Sequence, residues 1–169
     1  MKEAARKQRN QQRPNECFPK FAEKVGTVIT DMESQGFRPR IQDAHRTIAD
    51  QLKAFNQLKA FNSGASTVKF GFHNVTGTDG KPEALAVDLL DDDRPLDAKR
   101  EYLICLAATA KAHGLQTGIF FKLAEDLRPA LSQAIASLNF SSAVEIGFDP
   151  SHVEVGISIT EAKAGKRPS

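Results

Sequence analysis

The four histidines of this chain differ in their neighbours, and the neighbours decide which of them can do chemistry. His152 stands in Asp149-Pro150-Ser151-His152-Val153-Glu154-Val155, a turn running straight into a β-branched strand. Side chains two apart on a strand share a face, so Val153 and Val155 are expected in a core while His152 and Glu154 face a cleft. Asp149, just ahead of the strand, is placed to curl back toward whatever His152 holds. Ala84-Leu85-Ala86-Val87-Asp88 follows the same rule. Leu85, Val87 and Leu89 should point inward, and Ala84, Ala86 and Asp88 outward, the alanines leaving open space beside the carboxylate. With His73 at the end of an extended stretch from Val68, two neutral imidazoles and a carboxylate make a suitable three-ligand set for zinc, the fourth position left to water. Zinc lowers the pKa of such a water toward ~7, and Asp149 is the candidate to accept its proton. From the residues alone a second reading stays open, because an H-x-E pair on a strand is commonly a solvated face.

The other two histidines and the cysteines offer less. His113 precedes Gly114 in the last turn of a helix, where a cation satisfies the dipole. His45, beside Arg46 at a strand end, reads as a surface or supporting residue. Cys17 and Cys105 form no C-x-x-C pair, which argues against a thiolate metal site and leaves free thiols as the expectation.

The elements that must position these groups can be read from periodicity. Phe18, Phe21, Val25, Val28, Ile29 and Met32 recur at spacings of three and four, predicting an amphipathic helix stopped by Gly36. Pro39 to Ala44 reads as a strand. Thr47 is a helix cap for roughly 48–62, where QLKAFN occurs twice in tandem, with Ser63-Gly64-Ala65-Ser66 as its end. Asn74 to Glu83 is a polar loop with turn residues at Gly77 and Thr78-Asp79-Gly80. Ala84 to Leu90 is a strand, 97–112 a helix, Leu115 to Phe121 a strand, and 123–138 a helix with Pro129 near its first turn or a kink. Ala143 to Phe148 and His152 to Ile159 are both strand-like. Helices and strands are segregated, which predicts an α+β fold: one domain, a small mostly antiparallel sheet with helices packed on it.

Length and charge set limits on function. The 169 residues, 40% hydrophobic with eleven Phe, suffice for one globular domain, and a net charge of +2 does not make the whole molecule a polyanion binder. Basic residues gather at residues 1–13 and again at Lys163, Lys166 and Arg167. Both ends lack apolar periodicity, so residues 1–15 and 160–169 are expected to be flexible, flanking a domain over 16–159. Such ends read as solubilising tails, or else as attraction to anionic envelope surfaces or nucleic acid. No nucleic-acid-reading motif with interleaved aromatics accompanies them, so no nucleic-acid partner is expected. No apolar run approaches the ~18–20 residues of a membrane span. Gln11-Gln12-Arg13-Pro14-Asn15 is too polar to be the core of a signal peptide, which predicts synthesis in the cytoplasm without an export signal.

The order of these blocks resembles a known family. Asp43-Ala44-His45-Arg46-Thr47-Ile48-Ala49-Asp50-Gln51 is similar to the S-G-Y-R-S-x-x-x-Q segment of the M15 zinc peptidases. These are the D-alanyl-D-alanine carboxypeptidases and phage L-alanyl-D-glutamate endopeptidases, which share a fold with lysostaphin-type enzymes and the hedgehog signalling domain. The family continues with S-x-H-x-x-G-x-A-x-D, then a Glu or Asp three residues before a second metal-binding His. Gly71-Phe72-His73, Ala84-Leu85-Ala86-Val87-Asp88 and Asp149-Pro150-Ser151-His152 stand in that order, so the resemblance covers roughly residues 38 to 157. Asp149 in place of Glu, with Glu154 after the His, is most similar to the phage endopeptidase branch.

The resemblance implies zinc on His73, Asp88 and His152, Asp149 as general base and then acid, and Arg46 holding a substrate carbonyl or carboxylate and the tetrahedral oxyanion. Gln51 and Glu154 are implied as substrate-binding or supporting residues. It implies hydrolysis of peptidoglycan stem peptides by an endolysin-type L-alanyl-D-glutamate endopeptidase. Such a lysin acts in the periplasm or cell wall, reached through a membrane pore, and as a monomer. The alternatives are a D-alanyl-D-alanine carboxypeptidase or dipeptidase, and a non-enzymatic zinc-containing binding module on the same fold. Departures from the pattern are Gly71 for Ser, Ala84 for Gly, Asp43-Ala44-His45 for Ser-Gly-Tyr, and His73 and Asp88 standing fifteen positions apart, more than the family places there. The extra residues fall in the 74–83 loop, expected as a lip over the cleft.

Overall fold

The computed structural model describes residues 1–61 and 71–168. The expected helix end at 63–66 and the residues 68–70 lie outside them.

Among the described residues four strands form one sheet: β1 (Pro39–Asp43), β2 (Ala86–Asp91), β3 (Leu115–Thr117) and β4 (His152–Val155). Their order is β1-β2-β4-β3 and every pairing is antiparallel, which is the expected α+β architecture. The inner strands carry the alternation that was read from sequence. Val87, Leu89, Val153 and Val155 are buried in the core under α2 (Pro19–Ser34) and α4 (Arg100–Ala112).

Helix α2 forms because Pro19 fits a first turn, where its missing N–H costs nothing. Its buried Phe21, Val25, Val28, Ile29 and Met32 make one apolar stripe. It ends where Gly36 adopts φ 86°, a left-handed conformation that most side chains resist. Helix α4 is buried over most of its length, and the hydroxyl of its Tyr102 donates to the carbonyl of Leu89 in β2 at 3.0 Å, tying helix to sheet. His113 caps α4 and pairs through Nε2 with Asp31 of α2 at 2.7 Å, the structural role expected of it.

The N-terminal segment differs from expectation. Residues 3–12 form a helix, α1 (Glu3–Gln12), and its basic residues are engaged rather than loose. Arg6 is buried and donates to Glu3, Glu33 and the Pro39 carbonyl, while Arg9 donates to the carbonyls of Ile41 and Gln42. Asn10 donates to the Pro39 carbonyl and accepts from the Ile41 amide. Strand β1 is a sheet edge, and an edge exposes backbone groups that would pair with another chain. Here α1 side chains satisfy them. No apolar stripe announces such a helix, because its buried residue is an arginine.

Other boundaries also shift. Helix α4 begins at Arg100 rather than 97. Strand β3 stops at Thr117 and a 3-10 turn, Gly118–Phe120, takes the place of the expected strand to Phe121. The expected 123–138 helix is a 3-10 turn followed by α5 (Arg128–Ala136), with Pro129 in the first turn. Residues 143–148 alternate like a strand yet carry no strand, and β4 ends at Val155. A short α6 (Ile159–Lys163), capped reciprocally by Ser158 and Glu161, occupies part of the expected tail. Beyond it Arg167 donates to Glu83 at 2.9 Å and to the Thr76 carbonyl at 3.1 Å, fastening the 74–83 loop. Both cysteines are free and buried, and no helix among the described residues is long and apolar enough to cross a membrane.

Candidate metal centre

Register brings the first two groups together. Asp88 of β2 lies directly opposite His152 of β4, and Ala86 opposite Glu154, so Asp88, His152 and Glu154 share the sheet face turned away from α2 and α4. Ala84 and Ala86 do not open this face as expected. Both are fully buried, and the Ala84 backbone is paired with the residues just ahead of α2 (Ala84 N–H to the Glu16 carbonyl, Phe18 N–H to the Ala84 carbonyl).

His73 comes from a 3-10 turn, Phe72–Asn74, and not from an extended strand. The turn is zipped to the residues after β1. The Arg46 amide donates to the His73 carbonyl at 2.8 Å, and the Asn74 side chain donates to the Arg46 carbonyl at 2.7 Å. One local lock therefore delivers both His73 and Arg46. A bulge in β1 between Ile41 and Asp43 puts Asp43 opposite Asp88. Asp43 accepts from Arg46 Nη2 at 2.7 Å, Gln51 accepts from Nη1 at 3.1 Å, and the same Nη2 lies 3.7 Å from Asp88 Oδ2. Thr47 caps α3 (Ile48–Phe61) by accepting from the Asp50 amide.

Three ligand atoms converge: His73 Nε2, His152 Nδ1 and Asp88 Oδ1, their side chains only 8%, 12% and 20% exposed. Their separations are 3.3 Å between the imidazoles, 3.4 Å from His73 to Asp88 and 3.2 Å from His152 to Asp88. Ligands held tetrahedrally at ~2.0–2.1 Å from a zinc ion stand about 3.3–3.4 Å apart, so this triangle has the dimensions of three vertices of such a site.

The outer hydrogen bonds agree. His73 Nδ1 lies 2.6 Å from the Ala44 carbonyl and His152 Nε2 lies 2.9 Å from the Glu154 carboxylate. Both partners only accept, so both nitrogens carry protons, and the nitrogens facing inward present lone pairs when the rings are neutral. Two lone pairs and a carboxylate oxygen at this spacing repel unless a cation or a proton lies among them. Burial opposes a charge on His152, yet Asp88 and Glu154 outweigh it and lift the imidazole to about 10. Burial likewise opposes the Asp88 charge, and His73 and His152 overcome it, holding that carboxyl far below the usual carboxylate range. A proton on His152 relieves the repulsion when no metal is bound, and a divalent cation held by these residues would displace it. The donor set fits zinc, with two imidazoles, one carboxylate and no thiolate.

Asp149 is half-buried at the turn before β4, and among the described residues no side chain bonds its carboxylate. Burial, and then the Asp88 charge, push its pKa up, against the pull of His152, His73 and Arg46. His45 contributes no ligand to the cluster, and its backbone N–H donates to Glu16 at 3.2 Å.

Several neighbours carry no sequence signal. The Ala44 carbonyl orients His73 through its backbone alone. Phe121, partly exposed, sets its ring 5.9 Å from the His152 ring from a segment expected to be strand. The 74–83 loop borders a groove of about 520 Å³ together with Arg46, Thr47 and the α6 segment, so it flanks the Arg46 side of the site.

No protein-family model matches the chain, and no curated protein matches it. Among solved structures the chain is similar to a mutant of the vancomycin-resistance D,D-pentapeptidase VanY from a VanB-type cassette, in complex with Zn(II). The identity is 14% over 86% of this chain and 75% of that one, with a TM-score of 0.44. A likeness of that degree assigns neither residues nor activity.

Proposed function

We propose that this protein is a zinc peptidase that hydrolyses peptidoglycan stem peptides, cutting between L-Ala and the adjacent D-Glu. The observation that carries the chemistry is the triangle of His73 Nε2, His152 Nδ1 and Asp88 Oδ1 beside a carboxylate and a guanidinium. The substrate class rests on the resemblance of four ordered sequence blocks to the M15 peptidases. A zinc ion held by the three residues supplies a Lewis acid and brings the pKa of a water toward ~7.

The chain's own groups supply the rest. Asp149, raised in pKa by burial and bonded by no other side chain among the described residues, accepts a proton from the attacking water and passes it to the leaving amine. Arg46 is fixed by Asp43 and Gln51 before any substrate arrives, so its guanidinium meets the developing oxyanion without reorganising. Ala44 and Glu154 hold the two imidazoles in the tautomers that aim lone pairs inward. A binding module on the same fold would need neither Asp149 nor a clamped Arg46.

Digestion of purified peptidoglycan, followed by mass spectrometry of the new termini, tests this. New D-Glu amino termini are expected. Release of D-Ala alone would make the enzyme a carboxypeptidase with the same centre, and no cleavage by zinc-loaded protein would overturn the enzymatic reading.

A further inference from the structure

The segment that carries Asp149 is strapped across the turn that follows β3. The Gly147 amide donates to the Ile119 carbonyl at 2.6 Å and the Phe148 amide to the Phe121 carbonyl at 2.7 Å. The Lys122 ammonium lies over the Phe148 ring, 4.2 Å from its centroid. Two glycines make this approach possible. A Cβ on Gly118 would sit 2.0 Å from the Asp149 carbonyl oxygen and 2.8 Å from its carbon. A Cβ on Gly147 would sit 2.5 Å and 2.6 Å from the carbonyl oxygens of Phe121 and Ile119. The atoms in the way are backbone, so no rotamer change makes room. Neither glycine adopts a left-handed conformation, so it is closeness and not backbone freedom that requires glycine here.

We propose that Gly118 and Gly147 are positioning residues that fix the Asp149 carboxylate against the metal centre by letting its main chain lie directly on the 118–121 turn. The proposal rests on the reading of Asp149 as the proton acceptor. Asp149 cannot absorb a displacement by turning about its own bonds. Pro150 follows it and confines it to extended conformations. Its carbonyl also accepts from the His152 amide at 3.1 Å. A side chain at 118 therefore pushes Asp149 bodily off its seat. His152 is held by the β2 and β4 ladder and by Glu154, and of its contacts only the amide bond to the Asp149 carbonyl follows the strap. Strap and ligand set are separable, and a shift near 1 Å in a reacting group costs on the order of 10²-fold in rate.

The test compares Gly118→Ala with wild type and with Gly26→Ala, whose added methyl meets open space. Gly118→Ala is expected to keep one zinc per chain and a KM within about threefold, while kcat falls about 10²-fold. Adding Gly118→Ala to Asp149→Ala is expected to cost nothing further, since both remove one function. A readout independent of turnover is hydrogen exchange at the Gly147 and Phe148 amides, protected in wild type and accelerated in Gly118→Ala. Should that variant not fold, Phe148→Ala, which removes the partly exposed ring that Lys122 lies over, is expected to loosen the same amides and lower kcat alone. Unchanged exchange and kcat in the variant that folds, or additive losses with Asp149→Ala, would overturn the proposal. An inactive wild type would remove the proposed function, and the exchange comparison would still decide whether the strap exists.

Discussion

Asp88 and His152 stand directly opposite each other on antiparallel strands, with Asp88 Oδ1 3.2 Å from His152 Nδ1. Because the two residues are paired across the ladder, two of the three proposed ligands are placed by the sheet itself. The third, His73, arrives on a turn locked to Arg46.

Metal and fold should therefore be coupled but separable. Zinc at about 100 times its dissociation constant stabilises a site that only the folded state has by ~2.7 kcal/mol. Chelation is expected to lower the Tm of wild type and to leave that of His152→Ala where it was, measured by scanning calorimetry. An equal response from both proteins would place the metal elsewhere.

Asp149→Asn keeps shape and removes the proton acceptor. It is expected to retain one zinc per chain and lose about 10²–10⁴-fold in kcat on a defined stem peptide. A wild-type rate would show that another group takes the proton.

The carboxylate of Glu154 acts one bond further out, accepting from His152 Nε2 at 2.9 Å. Glu154→Ala is expected to weaken zinc binding by about 10–100-fold in competition with a chromogenic chelator. Unchanged affinity would reduce Glu154 to a surface charge.

How much of this was legible in the sequence depends on the range of the forces involved. The α2 stripe and the Val153/Val155 alternation are local patterns, and both appear as read. Asp88, His152 and Glu154 follow from the same two-residue period. What the period misses is what distant backbone decides. Ala143 to Phe148 alternates like a strand, yet the segment is held by two bonds to the 118–121 turn. Ala84 and Ala86 are fully buried and border no open space, and the Ala84 backbone is paired with Glu16 and Phe18. Helix α1 is stabilised by arginines reaching carbonyls some thirty residues away, as with Arg9 and the Ile41 carbonyl, which no hydropathy pattern encodes.

That helix makes its own acid signature. The Arg6 guanidinium, against an opposing effect of burial and with help from Arg38, holds the Glu3 carboxyl down at about 2 from an ordinary 4.5. The folded value lies below the unfolded one, so the stabilisation is complete above about pH 4.5 and is lost as pH falls toward 2. The stability gap between wild type and Glu3→Gln is expected to be largest above that window and to close across it, in denaturant melts at stepped pH. A gap independent of pH would contradict the pairing.

Anomalous diffraction at the zinc edge from crystals of the zinc-loaded chain tests the centre most directly. One peak is expected, ~2.0–2.2 Å from His73 Nε2, His152 Nδ1 and an Asp88 oxygen, with Asp149 and Arg46 facing the open position. A peak bound through His73 Nδ1 or His152 Nε2, or no peak among these three residues, would contradict it.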